Sequence, residues 1–236
     1  MITRRAAIQI GLGALAAACS STEPDIRSGR IEVRPVAGSA PLPPGLHSLK
    51  LERDALLYIP ERHRGAFALM LHGAGGTPER ILRRFTSQAD EFAVALLATK
   101  SDGMTWDAIR GDLGTDLLFL RNALRAAFEN CAVDPAHLAI SGFSDGASYA
   151  LSLGVANGDL FSHVMAFSPG FLIPMDRVGK ARIFLRTART IRSCRSIMPA
   201  GRLRAIFDGP VFRSRSVNST ASTRFRPRWR ARLFGG

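Results

Sequence analysis

The segment Gly142-Phe143-Ser144-Asp145-Gly146 constrains this chain more than any other. It follows the apolar stretch His137-Leu138-Ala139-Ile140-Ser141, which reads as a strand, and leads into residues 144–154, which read as a helix. A strand that turns straight into a helix leaves little space at the junction. Glycine on either side of the serine removes the Cβ atoms that would collide there. The turn strains the serine backbone and holds its hydroxyl out at the carboxyl end of the strand. The first turn of the helix then offers N–H dipoles to developing negative charge. A pattern with three fixed positions recurs by chance; the strand-turn-helix context is what marks Ser144 as a nucleophile rather than a plain turn serine.

Other segments repeat the alternation. Ala55-Leu56-Leu57-Tyr58-Ile59-Pro60 predicts a strand stopped by proline. Residues 66–71 and 92–98 are short, wholly apolar runs, as expected of strands buried on both faces. Residues 113–128 have helical spacing, with Leu117, Leu120, Leu124 and Phe128 on one stripe. Val164 to Ser168 predicts a further strand. Strands alternating with helices imply an α/β fold: a mostly parallel sheet with helices on both faces.

His72-Gly73-Ala74-Gly75-Gly76 follows a predicted buried strand. A glycine-rich loop there lets backbone N–H groups face a ligand, and acyl transfer needs two such donors for the oxyanion. The expected donors are the amide of Asp145 and one from this loop, Ala74 or Gly73. His72 itself reads as a structural residue at the strand end, since in such a topology the base follows the nucleophile.

Four segments carry a family resemblance: Met70 to Gly76, Ser101-Asp102-Gly103-Met104-Thr105-Trp106-Asp107, Gly142 to Ser148, and Phe167-Ser168-Pro169-Gly170. Together they resemble the phospholipase/carboxylesterase group of α/β-hydrolases, near polyhydroxybutyrate-depolymerase-like and dienelactone-hydrolase-like esterases. The resemblance spans roughly residues 50–184. It implies a Ser-Asp-His triad acting on a small-molecule or oligomeric carboxylic ester, with no metal or organic cofactor. Trp106 either lines the substrate pocket or belongs to the core.

Such a mechanism needs an acid and a histidine after Ser144. His163 is the only later histidine and lies too early in the chain for the base; Asp159, Asp176 and Asp208 sit in no expected setting. The composition breaks nearby. Residues 1–180 hold 18 basic and 18 acidic residues, whereas residues 181–236 hold 14 arginines and one acid, so the whole charge of +13 lies in the tail. A reading shifted by one base offers an explanation. Taking the third base of each codon with the first two of the next allows AHGTHDPVLPIDHA between Leu185 and Ala200, and D-G-x-H between Ser219 and Ala231. These contain the expected Asp, straddling Thr190 and Ile191, and the expected His, straddling Ser222 and Thr223. The sequence therefore predicts a core over 46–184 and an out-of-frame, disordered tail over 185–236, with the last strand and helix missing. It also removes the tail as a sign of nucleic-acid binding.

The N-terminus reads as an export signal: Arg4-Arg5, a short apolar run, then small residues. The paired arginines resemble a twin-arginine signal. Leu15-Ala16-Ala17-Ala18-Cys19 resembles a lipobox, which makes Cys19 the expected lipidation site and the anchor the only expected membrane contact. Residues 20–45, with Pro35, Pro41, Pro43 and Pro44, read as a linker. The expected location is the periplasm or a lipid-anchored position at the membrane. Three cysteines exclude a disulfide framework. An esterase is the leading reading; a non-catalytic exported lipoprotein or binding module on the same scaffold is the alternative.

Overall fold

The computed structural model describes residues 26–36, 41–111 and 113–187. The expected export signal, Cys19, Asp208 and the tail from residue 188 onward lie outside the described residues.

Among the described residues, seven strands and three α-helices follow in chain order: β1 (Gly45–Ser48), β2 (Ala55–Ile59), β3 (Phe67–Leu71), α1 (Pro78–Phe92), β4 (Ala95–Thr99), α2 (Thr115–Asn130), β5 (Leu138–Phe143), α3 (Asp145–Ala156), β6 (His163–Phe167) and β7 (Arg182–Arg186). They form one sheet in the order β1-β2-β4-β3-β5-β6-β7. β1 and β2 run antiparallel to their neighbours, and every pairing from β4 to β7 is parallel. This is the expected mostly parallel sheet.

Both faces of the sheet are covered. Phe67, Leu69 and Leu71 of β3 pack with the stripe Leu117, Leu120, Leu124 and Phe128 of α2 and with α3. Ala68 and Met70, pointing the other way, pack with Ile81, Leu82 and Ala89 of α1. That division explains why β3 and β4 are buried at every position, with Thr99 at the end of β4 their one polar residue. The run 92–98 divides differently from the expected strand. Phe92 closes α1, and Ala93 adopts the left-handed conformation (φ 57°) that ends the helix, so the strand begins at Ala95. α1 starts from a Thr77 cap followed by Pro78.

The expected linker is not one throughout. Residues 26–36 dock on the domain: Ile31 is fully buried and its N–H donates to Asn157 Oδ1 (2.7 Å). Arg30 and Arg34 both pair with Asp159, at 2.8 and 2.6 Å. Ile31, with Ile26 and Val33 partly buried beside it, alternates with charged residues, and the segment reads as a polar tether in sequence because its partners lie far along the chain. β7 also continues through Leu185 and Arg186, past the composition break, with Ser168 N–H donating to Arg186 O (2.6 Å).

Candidate active site

Ser144 stands between β5 and α3 with φ 54° and ψ −119°, a region that L-residues occupy only when the surroundings impose it. Three backbone contacts impose it here. Its N–H donates to Phe167 O at the end of β6 (2.9 Å), and its carbonyl accepts from Ala147 and Ser148 (2.9 and 3.1 Å), starting α3. A Cβ on Gly142 would run into the carbonyl of Gly146, and one on Gly146 into the carbonyls of Leu71 and His72. The glycines are thus what lets α3 leave directly over β3.

The glycine-rich loop runs alongside. A Cβ on Gly73 would sit 3.3 Å from Ser144 Cβ. Gly75 N–H donates to Met104 O (2.6 Å) and Gly76 N–H to Gly73 O (2.9 Å). The N–H groups of Gly73, Ala74 and Asp145 have no acceptor among the described residues. The structure therefore brings together Ser144 and the loop and helix amides expected to serve an oxyanion.

His72 is occupied. Its Nε2 accepts from Ser101 N–H (3.1 Å), so the proton of the neutral ring sits on Nδ1, which bonds Gly73 O (2.8 Å). Burial pushes its pKa down, holding it neutral. Trp106 has no exposed surface. It stacks between His72 and Tyr149 (ring centroids 5.0 and 5.5 Å) and donates its indole N–H to His72 O (2.8 Å). Its place is the core behind the loop, not a pocket wall.

Loop 100–107 ties the two halves of the site together. Besides Met104 and Trp106, Thr105 donates its hydroxyl to Asp145 Oδ2 (2.7 Å), and Lys100 Nζ donates to Gly76 O (3.0 Å). The loop is itself pinned from below. The buried Asp116 carboxylate accepts from Asp102 and Asp107 N–H (2.8 and 2.7 Å) and pairs with Arg53. Asp107 accepts from Ala108, Gly114 and Asp116 N–H (2.7, 2.9 and 2.9 Å), and burial raises its pKa. In the sequence only Trp106 stands out in this loop; Thr105 beside it carries no pattern of its own, because its partner Asp145 lies 40 residues away. Two large apolar side chains remain exposed at the rim, Phe143 (55%) and Met104 (78%).

All five histidines of the chain are described, and none bonds Ser144. His47 binds Pro43 O, His63 binds Ala132 O, and His137 binds Asp134. His163 pairs in register with Ala139 at the opposite end of the sheet, roughly 16 Å of strand below the serine. Asp159 is held by Arg30 and Arg34. No cluster of metal-ligating side chains occurs among the described residues, and no described helix is long and apolar enough to cross a membrane.

No protein-family model matches this chain. One curated protein, "Putative esterase NocK" of Nocardia uniformis subsp. tsuyamanensis, is 33% identical over 105 residues, covering 41% of this chain and 30% of that protein. The chain thus matches less than a third of that relative's length. Among solved structures, an acetyl xylan esterase from Aspergillus awamori overlays 50% of this chain and 47% of its own at 14% identity (TM-score 0.43). An S-formylglutathione hydrolase from Agrobacterium tumefaciens covers 52% and 56% at 15% identity (TM-score 0.42). A phospholipase/carboxylesterase from Dyadobacter fermentans covers 51% and 62% at 20% identity (TM-score 0.42).

Proposed function

We propose that this chain derives from an exported serine hydrolase of carboxylic esters, with Ser144 as nucleophile. The observation that carries the reading is the strained Ser144 turn with unpaired amides beside it: Asp145 on the helix, and Gly73 and Ala74 on the loop. The partial identity to a protein named as an esterase supports the same reading. In the intact reaction Ser144 Oγ attacks the ester carbonyl, and the carbonyl oxygen becomes an oxyanion held by Asp145 N–H and a loop N–H. The alcohol leaves, and water releases the acid from the acyl-enzyme. Export runs through the Arg4-Arg5 signal, with Cys19 as lipid anchor.

The chain as it stands lacks the proton acceptor. Every histidine is engaged elsewhere, and the shifted reading of the tail recovers an Asp and a His in the expected order. A fluorophosphonate probe tests the proposal on two proteins, the chain as given and one with the shifted frame restored. Labelling of Ser144 in the restored chain, abolished by Ser144→Ala, is the expected result. Absence of labelling there leaves the alternative, a binding module on a hydrolase scaffold. Sequencing the gene across the codons for Ala181 to Ser196 tests the frame itself.

A further inference from the structure

A cavity opens at the amino ends of β5, β6 and β7, the opposite end of the sheet from Ser144. It has a volume of ≈ 370 Å³, within the usual size of small-ligand sites of about 300–1,000 Å³. Four groups on its wall carry or can carry positive charge: His137, His163, Lys180 and Arg182. The side chains of Lys180 and Arg182 form no ion pair among the described residues. One carboxylate lines the cavity, Asp159, and it is already neutralised: Arg30 and Arg34 hold it at about 2. Asp134, next to the wall, is engaged by His137 (2.7 Å). Two cations that make no ion pair among the described residues therefore border one open cavity, an arrangement that favours an anion. The guanidinium of Arg182 supplies a planar fork and the ammonium of Lys180 a point charge, a pair suited to phosphate oxygens. The space left beyond a phosphate is bordered by Pro135, Ala136 and Leu160.

We propose that this cavity binds a phosphate ester of a small organic group, held by Lys180 and Arg182. Both residues lie within the expected core over 46–184, ahead of the tail from residue 185. It is also independent of the esterase proposal.

His163, 5% exposed, reports on the cavity. Burial first, then Arg182 and His137, lower its pKa. The charged or titratable groups facing it are His137 before β5, Asp159 before β6, and Lys180 and Arg182 at the start of β7. An anion between them cancels the field of Arg182 and raises that pKa. The test is a titration of the full chain with glycerol 3-phosphate, followed through the ring resonances of His163. The expected result is saturable shifts, an upward move of the His163 titration, and an affinity at least about tenfold weaker in Lys180→Gln/Arg182→Gln. These replacements keep the side-chain stems, and an unchanged melting midpoint shows that the variant is folded. Vesicles of phosphatidylglycerol distinguish the source. Shifts with vesicles but not with glycerol 3-phosphate assign the ester to a lipid headgroup, and the reverse assigns it to a soluble molecule. No shift with either, or equal shifts in the double variant, overturns the site.

Discussion

At the residue scale the site depends on where backbones nearly touch. Gly146 lies against the carbonyls of Leu71 and His72, so a methyl group there meets backbone that cannot rotate away. Gly146→Ala is expected to cost about 3 kcal/mol, read as a lower urea midpoint at unchanged slope. His72 gives a pH signature. Burial depresses its folded pKa below the ordinary value near 6.5, so below that pH the unfolded chain takes up a proton that the folded chain refuses. Stability is fully present above 6.5 and falls as the pH drops through the window toward the depressed value. Denaturation at several pH values should show this slope in the parent and a shallower one in His72→Asn. The strained Ser144 turn and its glycines are legible in sequence because their pattern is local. The bonds that immobilise them are not: Thr105 reaches Asp145 across 40 residues and Ser101 reaches His72 across 29. Thr105→Val breaks the first of these, and slower fluorophosphonate labelling of Ser144 in a frame-restored chain, without loss of melting midpoint, is the expected outcome.

At the element scale, the central strands and α2 could be read because burial imposes a simple pattern on them. Other elements escaped for physical reasons. α1 is mostly charged and polar, and its stripe of Ile81, Leu82, Phe85, Ala89 and Phe92 is overshadowed in sequence by the continuous apolar run 92–98 that it leads into. β1 and β7 are edge strands among the described residues, and edges carry polar positions that weaken the signal. The docked segment 26–36 is the largest departure, and it hangs on Ile31 and on the pairs of Asp159 with Arg30 and Arg34. The Asp159 side chain is 32% exposed, so solvent screens these pairs, and Asp159→Asn should cost no more than about 1 kcal/mol at neutral pH. The Arg30 guanidinium beside it holds its folded pKa at about 2, below the ordinary value of 3.8. The contribution is therefore present above 3.8 and lost as the pH falls through 2. The sharper readout is local: trypsin should cut between Arg27 and Arg34 faster in Asp159→Asn than in the parent, while the rest of the domain stays intact.

At the scale of the whole molecule, the described residues build the Ser144 turn in detail and bring no histidine into a bond with it. Loop 100–107 is fastened by buried carboxylates, the glycine loop lies against the serine, and amides point free of partners. Ring nitrogens, by contrast, are tied to backbone or neighbouring side chains at every histidine for which a bond is described. A scaffold under no functional demand has little reason to keep a strained serine and unpaired amides. Their presence beside an abrupt change of composition is what a recent loss of the reading frame predicts. The two versions of the protein should differ in rate far more than in fold up to residue 187. Without a base and its acid, ester hydrolysis should fall by about 10⁴–10⁶, leaving a residual of about 10³–10⁴ over water from the oxyanion amides and binding. Steady-state hydrolysis of a short p-nitrophenyl ester by both proteins measures the gap, with Ser144→Ala of each as reference. If Ser144→Ala removes the activity of the restored chain and also the small residual of the given one, the site is competent and only its proton transfer is missing. Equal rates for the two chains would place the base among residues already described, against the engagement of those rings, and would remove the need for a frame shift.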